Sequence, residues 1–202
     1  MAEMTLAQLK ESTKEYQITD RNQRALGSHQ LRLDQLEFKQ RHTFLEYVFG
    51  GCQIGLSIAV DFTGSNGDPN KRGSLHYKHD MANNEYLQAI KSVGNILQYY
   101  DTDKQIPVFG YGARIPDHGV SHAFAVNGNI FDPEVDGMDG VCEAYERAIK
   151  NVSLSGPTNF APIIELVNDM TEDMGCSQAD QQYNILLIVT DGQISDMPQT
   201  ID

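Results

Sequence analysis

Ile54-Gly55-Leu56-Ser57-Ile58-Ala59-Val60-Asp61-Phe62-Thr63-Gly64-Ser65-Asn66-Gly67 is the stretch from which the fold is read. Its first half is short, β-branched, mostly apolar and uncharged until Asp61, the pattern of a strand buried on both faces of a parallel sheet. Its second half places a carboxylate and two hydroxyls at alternating positions, Asp61, Thr63 and Ser65, in a glycine-rich turn. In open α/β sheets ligands bind beyond the carboxyl ends of the strands. Three hard oxygen donors there suit Mg²⁺, Mn²⁺ or Ca²⁺ and suit zinc or copper poorly.

Working outward, Tyr183 to Thr190 is the clearest buried strand, and it too ends in a carboxylate, Asp191-Gly192. Between the two, apolar spacing predicts helices from about Asn84 to Tyr100, from Gly140 to Lys150, and from about Phe160 to Met174. The first of these places Leu87, Ile90, Val93, Ile96 and Leu97 on one face, and its Gly94 offers a strand close approach. The third is expected to be capped by Thr158 or Asn159, with Pro162 in its first turn. Ile106 to Gly112 reads as a further strand, with Ser121 to Val126 as its hairpin partner. This alternation predicts an α/β fold: a doubly wound, mostly parallel, Rossmann-like sheet.

Residues 1–44 differ. They read as a polar, helical stretch from Thr5 to Glu15 and two strands, Glu15 to Thr19 and Gln30 to Phe38, around a turn ending in Gly27-Ser28. Two strands bury no core alone, so this short β segment, 1–44, is expected either to pack on a main domain over 45–202 or to be the tail of a truncated neighbour. A sheet whose last strand is Tyr183 to Thr190 leaves an apolar edge, so truncation, or an unusual partner that covers the edge, is expected.

A chain of 202 residues, 40% hydrophobic and 21% charged, is one ordinary globular domain or one domain plus a fragment. Its net charge of −13 opposes nucleic acid and bare anionic lipid, although a bound divalent ion reverses that locally. Cys52, Cys142 and Cys176 have no metal-ligand spacing and read as free thiols of a reducing cytosol. With no signal peptide and no apolar run of membrane-spanning length, the expected location is cytoplasmic.

Three loops converge if the two carboxylate-tipped strands are neighbours. Asp61, Thr63 and Ser65 follow one, Asp191 follows the other, and Thr158 opens a helix. Two carboxylates with neutral hydroxyls and waters make an octahedral site that can take an acidic group from outside as its last ligand. Asp61-Phe62-Thr63-Gly64-Ser65, Gly156-Pro157-Thr158 and Thr190-Asp191-Gly192 resemble the metal-ion-dependent adhesion site of a von Willebrand factor A domain. The wider sequence resembles copines: Phe44-Leu45-Glu46-Tyr47 with Gly50-Gly51, Ser74-Leu75-His76-Tyr77, and Gln98 through Lys104. Gly110-Tyr111-Gly112-Ala113, Ser121-His122-Ala123-Phe124, Asn159 through Ile164, and Leu186 through Gly192 extend the likeness.

The resemblance implies a copine-type A domain whose metal ligands are Asp61, Thr63, Ser65, Thr158 and Asp191, with Mg²⁺ or Mn²⁺ bound there. It implies that residues 1–44 are the end of a second C2 domain, a domain type that takes Ca²⁺. It also implies Ca²⁺-dependent phospholipid binding with recruitment to the plasma membrane, protein partners reached through an acidic side chain, and no nucleic acid. Because the C2 calcium loops are absent from 1–44, a chain without lipid binding is an alternative. So is an interaction module of a ubiquitin-ligase assembly, whose plant members carry a similar A domain.

The bland readings differ residue by residue. Asp61 and Asp191 serve equally as turn carboxylates and Thr158 as a helix cap. His76 and His79 read as a solvated pair, and Asp132, Glu134, Asp136 and Asp139 as a solvated acidic loop. Catalysis is not expected. An aspartyl phosphotransferase wants a second Asp where Thr63 stands, and no Walker loop, GxSxG or HExxH is present.

Overall fold

The computed structural model describes residues 15–20, 24–32, 39, 41–192 and 194–201. They form two units divided between Thr43 and Phe44, one residue before the expected boundary. In the first, β1 (Glu15–Thr19) pairs antiparallel with β2 (Ala25–Arg32), with a register shift between Gln17 and Thr19. The second strand therefore starts earlier than expected. The expected helix from Thr5 and the Leu33 to Phe38 half of that strand lie outside the described residues.

The second unit opens with a short helix, α1 (Phe44–Phe49), and is built around β3 (Gln53–Asp61). The order across the sheet is β10-β3-β4-β7, with β4 spanning Gln105–Tyr111, β7 Phe124–Ala125 and β10 Gln182–Val189. β10 and β4 both run parallel to β3; β7 and β8 (Glu134–Asp136) pair antiparallel with β4. The expected hairpin is thus divided. Residues 113–121 make their own turn, β5 (Ala113–Ile115) with β6 (Gly119–Ser121), and only Phe124 and Ala125 return to β4. β9 (Ser153–Leu154) joins β5.

Strand periodicity sorts the side chains into two layers. Leu56, Ile58 and Val60 of β3 and Ile106 and Val108 of β4 face α2 (Glu85–Leu97) and α3 (Gly137–Asn151), meeting Leu87, Ile90, Val141, Tyr145 and Ile149. Ala59, Phe109 and Tyr111 face α4 (Ala161–Asp173), meeting Ile163 and Val167. Each fully buried Ile or Leu in these layers contributes roughly 1.5–3 kcal/mol. Helices on both faces of a mostly parallel sheet are the expected α/β architecture.

Three expectations are corrected. Val93 and Ile96 of α2 lie on its outer face, 42% and 63% exposed, because Leu87 and Ile90 already meet the sheet. Gly94 admits a helix and not a strand: a Cβ there would run into the Met138 side chain of α3. β10 is only half-buried, because β3 is its one neighbour among the described residues. No described helix is long and apolar enough to cross a membrane.

Candidate functional site

The two carboxylate-tipped strands are neighbours. β10 and β3 pair in unbroken parallel register from Gln182↔Gln53 to Val189↔Val60, so Thr190 emerges level with Asp61. On the other side Asp61 pairs with Tyr111 of β4. Thr190, Asp61 and Tyr111 therefore stand in a row across the carboxyl ends of three adjacent parallel strands. By alternation all three lie on the α4 face, below which sit Ile188, Ala59 and Phe109.

Asp61 is fully buried and held at both oxygens. Oδ1 accepts the Thr63 amide at 2.8 Å, a local Asx turn. Oδ2 accepts the Thr190 hydroxyl at 2.9 Å, and Thr190 Oγ1 in turn accepts the Gly192 amide at 3.2 Å. The Thr63 and Ser65 hydroxyls sit 2.9 Å apart, and Asn66 Nδ2 donates to Thr63 Oγ1 at 3.3 Å. These contacts gather the hydroxyls of one loop beside the carboxylate that precedes them.

Thr158 reaches the same end of the sheet through backbone ties. The Gly64 amide donates to the Ser155 carbonyl at 2.5 Å, and the Ser155 amide donates to Phe62 O at 3.3 Å. Three residues further along, Thr158 is clasped by the segment that follows Asp191. Ser195 N donates to Thr158 O at 2.7 Å, and Thr158 N donates to Ser195 Oγ at 3.2 Å. Neither Thr158 nor Asn159 caps α4. The carboxylate of Asp196 does, accepting from Phe160 N and Ala161 N at 2.9 Å each. Burial opposes ionisation of Asp196, but these N–H donors and the Thr200 hydroxyl win and hold its carboxyl below the usual range. Ser195 and Asp196 thus join the Thr158 loop to the Asp191 loop.

Beneath Asp61 lies a buried polar network. His76, expected to be solvated, is fully buried, and both ring nitrogens are engaged. Nε2 lies 2.6 Å from the Asp61 carbonyl oxygen and Nδ1 lies 2.7 Å from the Tyr145 hydroxyl. The ring stacks against Tyr86, centroids 3.9 Å apart, and against Phe62 at 5.4 Å. A carbonyl only accepts, so Nε2 carries the proton, and the one Tyr145 hydroxyl proton is shared between neutral Nδ1 and Asn84 Oδ1, 3.1 Å away. Burial drives the imidazole pKa down to about 4, so the ring is neutral near pH 7. Tyr86 donates to Asn66 Oδ1 at 2.7 Å, tying the same network to the hydroxyl loop. Both nitrogens being taken, His76 and His79 do not share a metal.

Tyr111 is the exception to this bonding. It is fully buried, its ring edge-on to Phe160 at 5.4 Å, yet its hydroxyl has no hydrogen-bond partner. Desolvation first, then the charges of Asp61 and Asp191, push its pKa up, so it stays a phenol. His122 Nδ1 is likewise unpartnered. Among the described residues no three His, Cys, Asp or Glu side chains gather as a metal-binding group. What gathers here is Asp61 with neutral hydroxyls and the exposed Asp191. That all-oxygen donor set, with an orphaned hydroxyl beside it, fits a hard divalent cation. An apolar groove of about 530 Å³ between the β5–β6 hairpin and α3 shares no residue with this set.

The sequence reading passed over Asn66, Tyr86, Tyr111 and Asp196. Only Tyr111 left a signal, as the last residue of a buried strand at the ligand-binding end. A family model described as Copine matches residues 74–202, more than half of the sequence; it starts after the Asp61 loop and spans Thr158 and Asp191. With the α/β sheet described above, that match places this chain in the copine family.

Proposed function

We propose that the second unit is a divalent-cation-dependent protein-recruitment module, in which Asp61, Thr63, Ser65, Thr158 and Asp191 would hold Mg²⁺ or Mn²⁺. The observation that carries this reading is the in-register pairing of β3 with β10, which supports bringing the Asp61–Ser65 loop and the Asp191 loop to one end of the sheet. When bound, the cation supplies a Lewis-acidic position for an acidic side chain of a partner protein. Asp61 is kept oriented by Thr63 and Thr190; Thr63, Ser65 and Thr158 add neutral oxygens. Five side-chain oxygens leave one position of an octahedral ion open, where an oxygen of the partner's acidic side chain would bind. The residues form no catalytic set, and we read the module as a binder and not an enzyme.

Calcium-dependent phospholipid binding, with cytoplasmic residence and recruitment to the plasma membrane, is part of the same proposal and rests on family membership alone. A lipid role through a C2 domain ending within 1–44 would be separate from the cation site. Titration of the metal-free protein with Mn²⁺, followed by calorimetry, tests the module. Saturable one-site binding is expected, and Asp61→Ala should weaken it by more than about 100-fold, beyond the loss typical of an outer partner. Equal Mn²⁺ binding by both proteins refutes the reading.

A further inference from the structure

We infer that Tyr111 is a positioning residue of the cation site, its buried hydroxyl hydrogen-bonding to an oxygen ligand that the bound cation carries. This rests on the cation reading above and goes beyond it by naming a group outside the ligand set.

The argument starts from the sheet. Tyr111 is paired with Asp61, and Thr190 flanks Asp61 on its other side, so the three polar groups stand side by side on the α4 face at the strand ends. Two of them bond to each other at 2.9 Å. The third, the Tyr111 hydroxyl, faces both Asp61 and Thr190 without adequate hydrogen-bond geometry to either. Its ring packs among Phe109, Ile163, Val167 and Phe160, surroundings that a phenylalanine would fill as well. A hydroxyl taken out of water and left unbonded costs free energy, so within the protein alone the oxygen atom is a liability. A water or carboxylate oxygen held on the cation would supply the missing partner. The phenol both donates and accepts, so it can serve either.

The test uses the full 202-residue chain as wild type, Tyr111→Phe and Asp61→Ala. Three readouts are taken: Mn²⁺ affinity by calorimetry, thermal stability of the metal-free protein, and the tyrosine ultraviolet difference spectrum on adding Mn²⁺. The expected result is an affinity about tenfold weaker for Tyr111→Phe, the equivalent of one hydrogen bond, with metal-free stability unchanged or raised. The Mn²⁺-induced tyrosine signal should shrink in that variant. If wild type and Tyr111→Phe bind Mn²⁺ equally while Asp61→Ala does not, the role of Tyr111 is overturned and the cation site stands. A drop in metal-free stability with unchanged affinity overturns it as well, since the hydroxyl then serves the fold. If wild type binds no Mn²⁺, both readings fall together.

Discussion

Replacing His76 by glutamine should flatten the acid side of the stability profile. In the folded chain burial holds the imidazole pKa at about 4, against 6.5 for the free side chain. Below pH 6.5 the unfolded chain takes up a proton that the folded chain refuses, so stability falls as pH drops from 6.5 towards 4 and levels off below. At 1.36 kcal/mol per pH unit the shift caps this loss at about 3 kcal/mol. Glutamine keeps a neutral donor for the Asp61 carbonyl, which His76 Nε2 reaches at 2.6 Å, but does not titrate. Urea unfolding in EDTA at half-unit steps from pH 7.5 to 4 measures both profiles. The variant should be less stable at pH 7, having lost the stack on Tyr86, and the two profiles should converge by about 2–3 kcal/mol as pH falls. Parallel profiles would refute the buried, neutral histidine.

Two other perturbations reach the site through the backbone. Asp196→Ala removes the acceptor of the Phe160 and Ala161 amides and should cost about 1–2 kcal/mol by urea midpoint at pH 7. The folded pKa of Asp196 is lowered, so its contribution is present above the unfolded carboxylate range and fades as pH falls through the folded pKa; the deficit of the variant should shrink in acid. Gly112→Ala forces a side chain onto a φ of +74°, with its Cβ against Thr63 Cγ2. It should destabilise by more than about 1 kcal/mol and weaken Mn²⁺ binding together, read by melting and calorimetry.

Local chemistry made much of the fold legible. β3 and β10 stand out as mostly apolar runs of strand length, and α3 and α4 as runs of helical period, because burial of a strand or of one helical stripe leaves a repeat in the residues themselves. Val93 and Ile96 misled for the same reason: periodicity names a stripe but not its width, and the sheet is already met by Leu87 and Ile90.

From residue order alone came the α/β class, the copine resemblance and the oxygen-bearing loops around Asp61 and Asp191, all carried by neighbours a few positions apart. Only the folded chain decided that Thr190, Asp61 and Tyr111 align across three strands, that His76 is buried beneath Asp61, and that Asp196 caps a helix thirty-five residues before it. Those contacts join segments far apart in the chain. They depend on strand order and register, which are set by how whole faces pack, and no short window of sequence holds that information.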